Sequence, residues 1–144
     1  MMLGTLENLW RQFKDHTHNG LDSKSIDSSG GGFVTRGTVA AYDFTQATLT
    51  FDGTINDIDL SAVIPSTATL VLIRLRFEGA VDNQFLFYPG DHVSGVNVNR
   101  FRTQVVSQYF ETMAMVQPSS AGIIKYSGES TLTNLSMVVC GWWL

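Results

Sequence analysis

The sequence predicts an all-β protein: a jelly-roll-like β-sandwich over residues 33–144, preceded in residues 1–32 by a short N-terminal helix and a Gly/Ser-rich linker. Three observations carry this. Residues 33–144 hold a series of short apolar runs, several with period-2 alternation. Turn chemistry separates them, at Asp52-Gly53, Glu78-Gly79, Pro89-Gly90 and Ser127-Gly128. No strand-helix alternation of the kind that builds a parallel doubly wound sheet is present. Short strands joined by tight turns each bury one face, and two sheets stacked face to face hide both.

The helix is expected over residues 3–14. Leu6, Leu9, Trp10 and Phe13 recur at i, i+3, i+4 and i+7, one apolar stripe. Thr5 supplies an N-cap and Glu7 an acid in the first turn. A helix of about ten residues is marginal alone in water. Its stripe must therefore pack on the β-domain, on copies of itself in an oligomer, or on a host surface to which it attaches the chain. Residues 15–32, DHTHNGLDSKSIDSSGGG, are polar and end in a composition that makes a flexible linker.

Within the β-domain, residues 33–39 and 48–52 are short strand candidates. Val71, Ile73, Leu75 and Phe77 alternate with Leu72, Arg74 and Arg76, the period of a half-buried strand. Residues 84–88 form another, closed by Pro89-Gly90, and residues 103–117 a long mixed run ended by Pro118. Residues 121–126 and 131–143 complete the set. In the last, parity puts Leu135, Met137, Val139 and Trp143 on one face, and Val138, Cys140 and Trp142 on the other.

Hydrophobic residues make up 44% of the chain and aromatics 11%, enough for a packed core. Charged residues make up only 15%, against about 25% in an average soluble protein. Such a chain either has surface covered by partner subunits or is a neutral sandwich rich in Ser, Thr and Asn. A net charge of −4 leaves no basic face to neutralise phosphates, which argues against a nucleic-acid partner. No apolar stretch reaches the roughly 18 residues of a membrane span, so no membrane partner is expected. Glu7 stands where a secretory leader carries basic charge, so folding in a cytoplasm is expected. The single cysteine, Cys140, lies in an apolar run and reads as a buried, inert thiol.

The catalytic patterns are missing, and no enzyme is expected. His92 follows Asp91 in a turn, but no G-x-S-x-G nucleophile pattern accompanies it. Asp57 and Asp59 share one side of an extended segment, as a solvated strand face does. Gly30-Gly31-Gly32 lacks the Lys and Ser/Thr of a phosphate loop. Arg100 and Arg102 flank Phe101 in what reads as a solvated loop. For an alternative role as a carbohydrate-binding module, Tyr88, Phe101 and Trp142 are the aromatic faces available to stack on sugars. Trp142 and Trp143, at the end of an apolar strand, equally suit a core or a subunit interface.

The sharpest local signal is Asp15-His16-Thr17-His18-Asn19-Gly20-Leu21-Asp22-Ser23. In an extended segment, residues i and i+2 point to the same side, roughly 6–7 Å apart. Two imidazoles make half a metal site. Either the histidines sit in a polar Asn-Gly turn and bind nothing, or three copies about an axis bring six imidazoles around one ion. Six-fold nitrogen coordination suits iron or nickel better than zinc.

The stretch DHTHNGLDSKSI resembles a motif of bacteriophage tail-fibre, head-fibre and spike proteins: His-x-His-x-Gly-x-Asp-Ser, then a basic residue or proline, then an aliphatic one. The matching positions are His16, His18, Gly20, Asp22, Ser23, Lys24 and Ile26, and the chain departs from the pattern at Ser25. The later part of the chain is similar, diffusely, to small jelly-roll-like domains that end many such fibres. The resemblance implies a virion structural protein, a homotrimeric fibre, spike or capsid decoration subunit, folded in the host cytoplasm before assembly. Its implied partners are its own copies, other virion proteins of capsid, neck or tail, and a host cell-surface glycan. Some fibre tips of this kind hold iron through His-x-His pairs on the trimer axis, which implies a metal role for His16 and His18.

Overall fold

The computed structural model describes residues 31–92 and 96–144. Its strands are β1 (Phe33–Thr35), β2 (Phe44–Thr45), β3 (Asn56–Asp59), β4 (Leu70–Glu78), β5 (Gln84–Tyr88), β6 (Asn99–Arg102), β7 (Phe110–Val116), β8 (Ile123–Gly128) and β9 (Thr133–Trp143). One 3-10 turn, Gln46–Thr48, follows β2. Sheet one runs β1-β9-β4-β7, with β2 also pairing β9, and sheet two runs β3-β8-β5-β6. Every pairing is antiparallel.

The pairs are nested: β1 and β2 with β9, β3 with β8, β4 with β7, and β5 with β6. It is as though one long antiparallel ribbon, turning between β5 and β6, had been rolled so that β4 meets β9 and β5 meets β8. That is a jelly roll, the fold class expected from the sequence.

Alternation dictates the core. Val71, Ile73, Leu75 and Phe77 of β4 are all at most 1% exposed, as their period predicts. Phe85 and Phe87 of β5, Ile124 and Tyr126 of β8, and Leu135, Met137 and Val139 of β9 meet them between the sheets. Each such side chain contributes about 1.5–3 kcal/mol by leaving water. The polar tip of Tyr126 is not stranded, because its hydroxyl accepts the Thr50 N–H at 2.6 Å.

Four segments differ from the sequence reading. Residues 49–52 form no strand after the 3-10 turn, whereas Asn56–Asp59 do form one, on β8. Arg100 and Arg102 lie on β6 rather than in a loop. The run 103–117 is a strand only from Phe110. Before it the chain turns through Ser107 at φ 55°, and Thr103 is buried as its N–H donates to the Asn83 carbonyl at 3.0 Å.

The fourth is the end of β9. Leu72 faces Gly141 but Ile73 faces Val139, so Cys140 is an extra residue on β9. A one-residue slip exchanges the faces of everything beyond it. Trp142 therefore packs against the core, and Trp143 turns outward onto Phe33 with ring centroids 4.6 Å apart, opposite to simple parity. As the bulged residue, Cys140 is half-buried rather than buried.

Two turns make carboxylates acid-sensitive. Asp52 accepts the Thr54 hydroxyl at 2.7 Å, the Thr54 N–H at 2.9 Å and the Asn56 amide at 3.2 Å. Asp59 accepts the Ser61 N–H at 2.8 Å. Hydrogen bonds from Thr54 and from Ser61 hold the two carboxyls below their ordinary range. A depressed folded pKa contributes stability that is present above the unfolded value and lost as pH falls through the folded one. Denaturant midpoints are thus expected to fall with pH below about 4. Asp52→Asn, which keeps an acceptor oxygen but cannot titrate there, is expected to flatten part of that slope.

Candidate functional site

The two sheets present different outer faces. That of sheet two is charged: Lys125 bonds Asp57 at 2.6 Å, and Arg100 and Arg102 stand exposed on β6, Arg102 3.6 Å from Asp82. That of sheet one is divided along its strands. At one end, Phe33, Trp143, Leu70, Leu72 and Met115 form adjacent cross-strand rows. Met113 is 49% and Met115 55% exposed. At the other end the rows turn polar, with Arg74 opposite Val138 and Met113, then Arg76 opposite Ser136 and Glu111.

The edge of sheet one beside β9 is broken. β1 covers residues 141–143 of β9 and β2 covers 136–137, leaving the bulged stretch between them without a strand partner. Arg36 and Asp43 fill the gap. The Arg36 N–H donates to the Cys140 carbonyl at 2.9 Å, and the Asp43 carboxylate accepts the Val139 N–H at 2.8 Å. The Arg36 guanidinium pairs with that same carboxylate and reaches the Val139 carbonyl at 3.4 Å. Side chains here do what a continuous strand would do.

Two open hollows lie on this part of the sheet, and the 37–42 loop contributes to the walls of both. The larger, about 780 Å³, is lined by Val39, Ala40, Tyr42, Arg74, Val138 and Cys140 among others. The smaller, about 410 Å³, is lined by Tyr42, Gln46, Arg76, Tyr109, Asn134 and Ser136 among others. Tyr42 belongs to both walls. The Gln46 side chain anchors the floor of the smaller one, donating to the Leu132 carbonyl at 2.6 Å and accepting the Leu135 N–H at 3.3 Å.

The residues singled out from the sequence fall as follows. Leu6, Leu9, Trp10, Phe13, His16 and His18 lie outside the described residues. Tyr88 is 9% exposed, and its hydroxyl shares a hydrogen bond with Ser127 Oγ at 3.0 Å. His92 sits edge-on to the Tyr88 ring, centroids 4.6 Å apart. Phe101, on β6 of sheet two, and Trp142, on β9 of sheet one, both pack against the core. Tyr88, Phe101 and Trp142 thus belong to two sheets and do not build a common platform. The exposed aromatics that do share a cleft are Tyr42 and Tyr109, which sequence reading passed over: Tyr42 lies in a loop, and Tyr109 next to a strand whose register only the sheet reveals.

Among the described residues, no group of three or more His, Cys, Asp or Glu is placed to hold a metal ion, and no helix is long and apolar enough to cross a membrane. No protein-family model matches the chain, and no curated protein matches it. Among solved structures, the coat protein of Tobacco streak virus is similar at 14% identity and a TM-score of 0.38, over 81% of this chain and 85% of that one.

Proposed function

We propose that this protein is a structural subunit of a bacteriophage particle, a homotrimeric fibre, spike or capsid decoration protein. In this reading residues 1–32 attach it to other virion proteins, and the jelly roll is the displayed body. The observation that carries the reading is the order along the chain: the motif DHTHNGLDSKSI, then a Ser/Gly run, then a jelly-roll domain. The low charge and the apolar end of sheet one's outer face support self-association, which would take Phe33, Met113 and Met115 out of water. The stripe Leu6, Leu9, Trp10 and Phe13 is the proposed attachment and trimer-forming surface. His16 and His18 of three copies are the proposed ligands of an iron- or nickel-like ion. Three copies also present three of any weak surface site at once, so avidity exceeds single-site affinity.

Light scattering of the full chain at micromolar concentration is expected to give a trimer mass. A clean monomer at that concentration overturns the proposal.

A further inference from the structure

We propose that the cleft around Arg76, on the outer face of sheet one, binds a saccharide through a carboxylate group. The reading rests on the geometry of the described domain and goes beyond the virion role.

Arg76 lies against an aromatic ring and has no ion pair among the described residues. Its guanidinium carbon lies over the Tyr109 ring, 3.5 Å from the centroid, a cation-π contact. A stacked guanidinium keeps its in-plane N–H groups for a planar acceptor, and a carboxylate matches that fork with two parallel bonds. Among the described residues no carboxylate lies within ion-pair distance of Arg76, and its Nε is buried without a hydrogen-bond partner. The nearest acid across the sheet, Glu111, is taken by Arg74 at 2.5 Å. Glu78, further along β4, is taken by the Asn134 amide.

The surroundings of that fork suit a sugar. Tyr42 and Tyr109 are 45% and 50% exposed, giving aromatic surface at the rim. Ser136 and the Arg76 cation beside the Tyr42 phenol draw its pKa below the ordinary value, which places that hydroxyl next to the cation. Phenol and serine hydroxyls beside a guanidinium can each exchange hydrogen bonds with sugar hydroxyls. The cleft adjoins the larger hollow through Tyr42, so a second ring has somewhere to lie. The local charge also limits the ligand. Arg74 and Arg76 balance Glu111 and Glu78 locally, and the chain's net charge of −4 favours a single carboxylate over a dense polyanion.

Calorimetric titration of the full chain tests this, with sialyllactose and a glucuronate-terminated disaccharide as acidic probes, and lactose, a neutral disaccharide, acetate and a glutamate-terminated peptide beside them. At least one acidic saccharide is expected to bind, and tighter than its neutral parent by about tenfold or more, the worth of one charge-assisted contact. Arg76→Gln is expected to weaken it by a similar factor, and Tyr109→Leu, which keeps the cation but removes its platform, to weaken it as well. Arg100→Gln, on sheet two, is expected to leave it unchanged. A cooperative thermal transition in each variant establishes that it is folded.

No binding by either acidic saccharide overturns the inference. So does equal binding of the neutral parents, of acetate or of the peptide, and so does full affinity in folded Arg76→Gln. A monomer that binds would overturn only the trimer, and a trimer that does not bind only this site.

Discussion

Phe85→Ala is expected to lower the unfolding free energy by about 3–5 kcal/mol, a large share of the roughly 5–15 kcal/mol that holds an ordinary domain together. Phe85 is 0% exposed and is the hub of the aromatic core. It stacks on Tyr126 with centroids 5.9 Å apart and meets Phe87 edge-on at 4.9 Å. It also touches Phe77 at 6.1 Å, reaching across from sheet two to sheet one, and Phe51 at 6.4 Å. The loss combines the transfer free energy of the ring, the cavity left behind and several aromatic contacts. Those terms share one side chain and do not add independently. Denaturant unfolding followed by tyrosine and tryptophan fluorescence reads the change as a shift of midpoint at constant slope. Phe85→Leu is expected to lose less, and Val96→Ala, at a largely exposed side chain, to change stability by no more than about 0.5 kcal/mol.

Asp43→Ala is expected to cost about 2–4 kcal/mol, although Asp43 lies near the edge of the sheet. Its carboxylate serves two partners at once, the Val139 N–H and the Arg36 guanidinium, and its side chain is only 9% exposed. Removal leaves the bulged segment of β9 with an unsatisfied N–H and a part-buried cation with no counter-charge. Asp43→Asn keeps an acceptor for Val139 and loses only the charge, so a smaller loss is expected. Hydrogen exchange at Val139 separates the two variants: faster exchange is expected in Asp43→Ala and near-native protection in Asp43→Asn. Because the pair joins the two ends of the 37–42 loop, Asp43→Ala should also loosen the wall that Tyr42 supplies to both hollows. Unchanged stability in Asp43→Ala would mean that the broken edge is held by the strands alone.

What the sequence by itself determined is what depends on neighbours along the chain. The alternation of Val71, Ile73, Leu75 and Phe77 is a property of four side chains on one strand, and it placed β4 and its buried face correctly. Turn dipeptides separated the runs, and the run of short strands specified two packed antiparallel layers. The motif around His16 and His18 is likewise an ordered local pattern, and it lies outside the described residues.

Only the tertiary structure decided what depends on registration between strands. The extra residue at Cys140 exists only relative to β4, and it sends Trp142 inward and Trp143 outward against the parity that the sequence displays. β6 is a strand because β5 is there to pair it, not because Asn99-Arg100-Phe101-Arg102 has a strand-like pattern. The Arg36–Asp43 clamp spans a gap whose position is set by where β1 stops and β2 begins on β9. The cleft is the furthest from the sequence. Tyr42, Arg76, Tyr109 and Ser136 come from a loop, two strands and the lead-in to a third, and nothing in their spacing links them. Side-chain alternation is local and survives in the one-dimensional text. Register, bulges and the convergence of distant side chains are relations between segments, and they exist only once the sheets have formed.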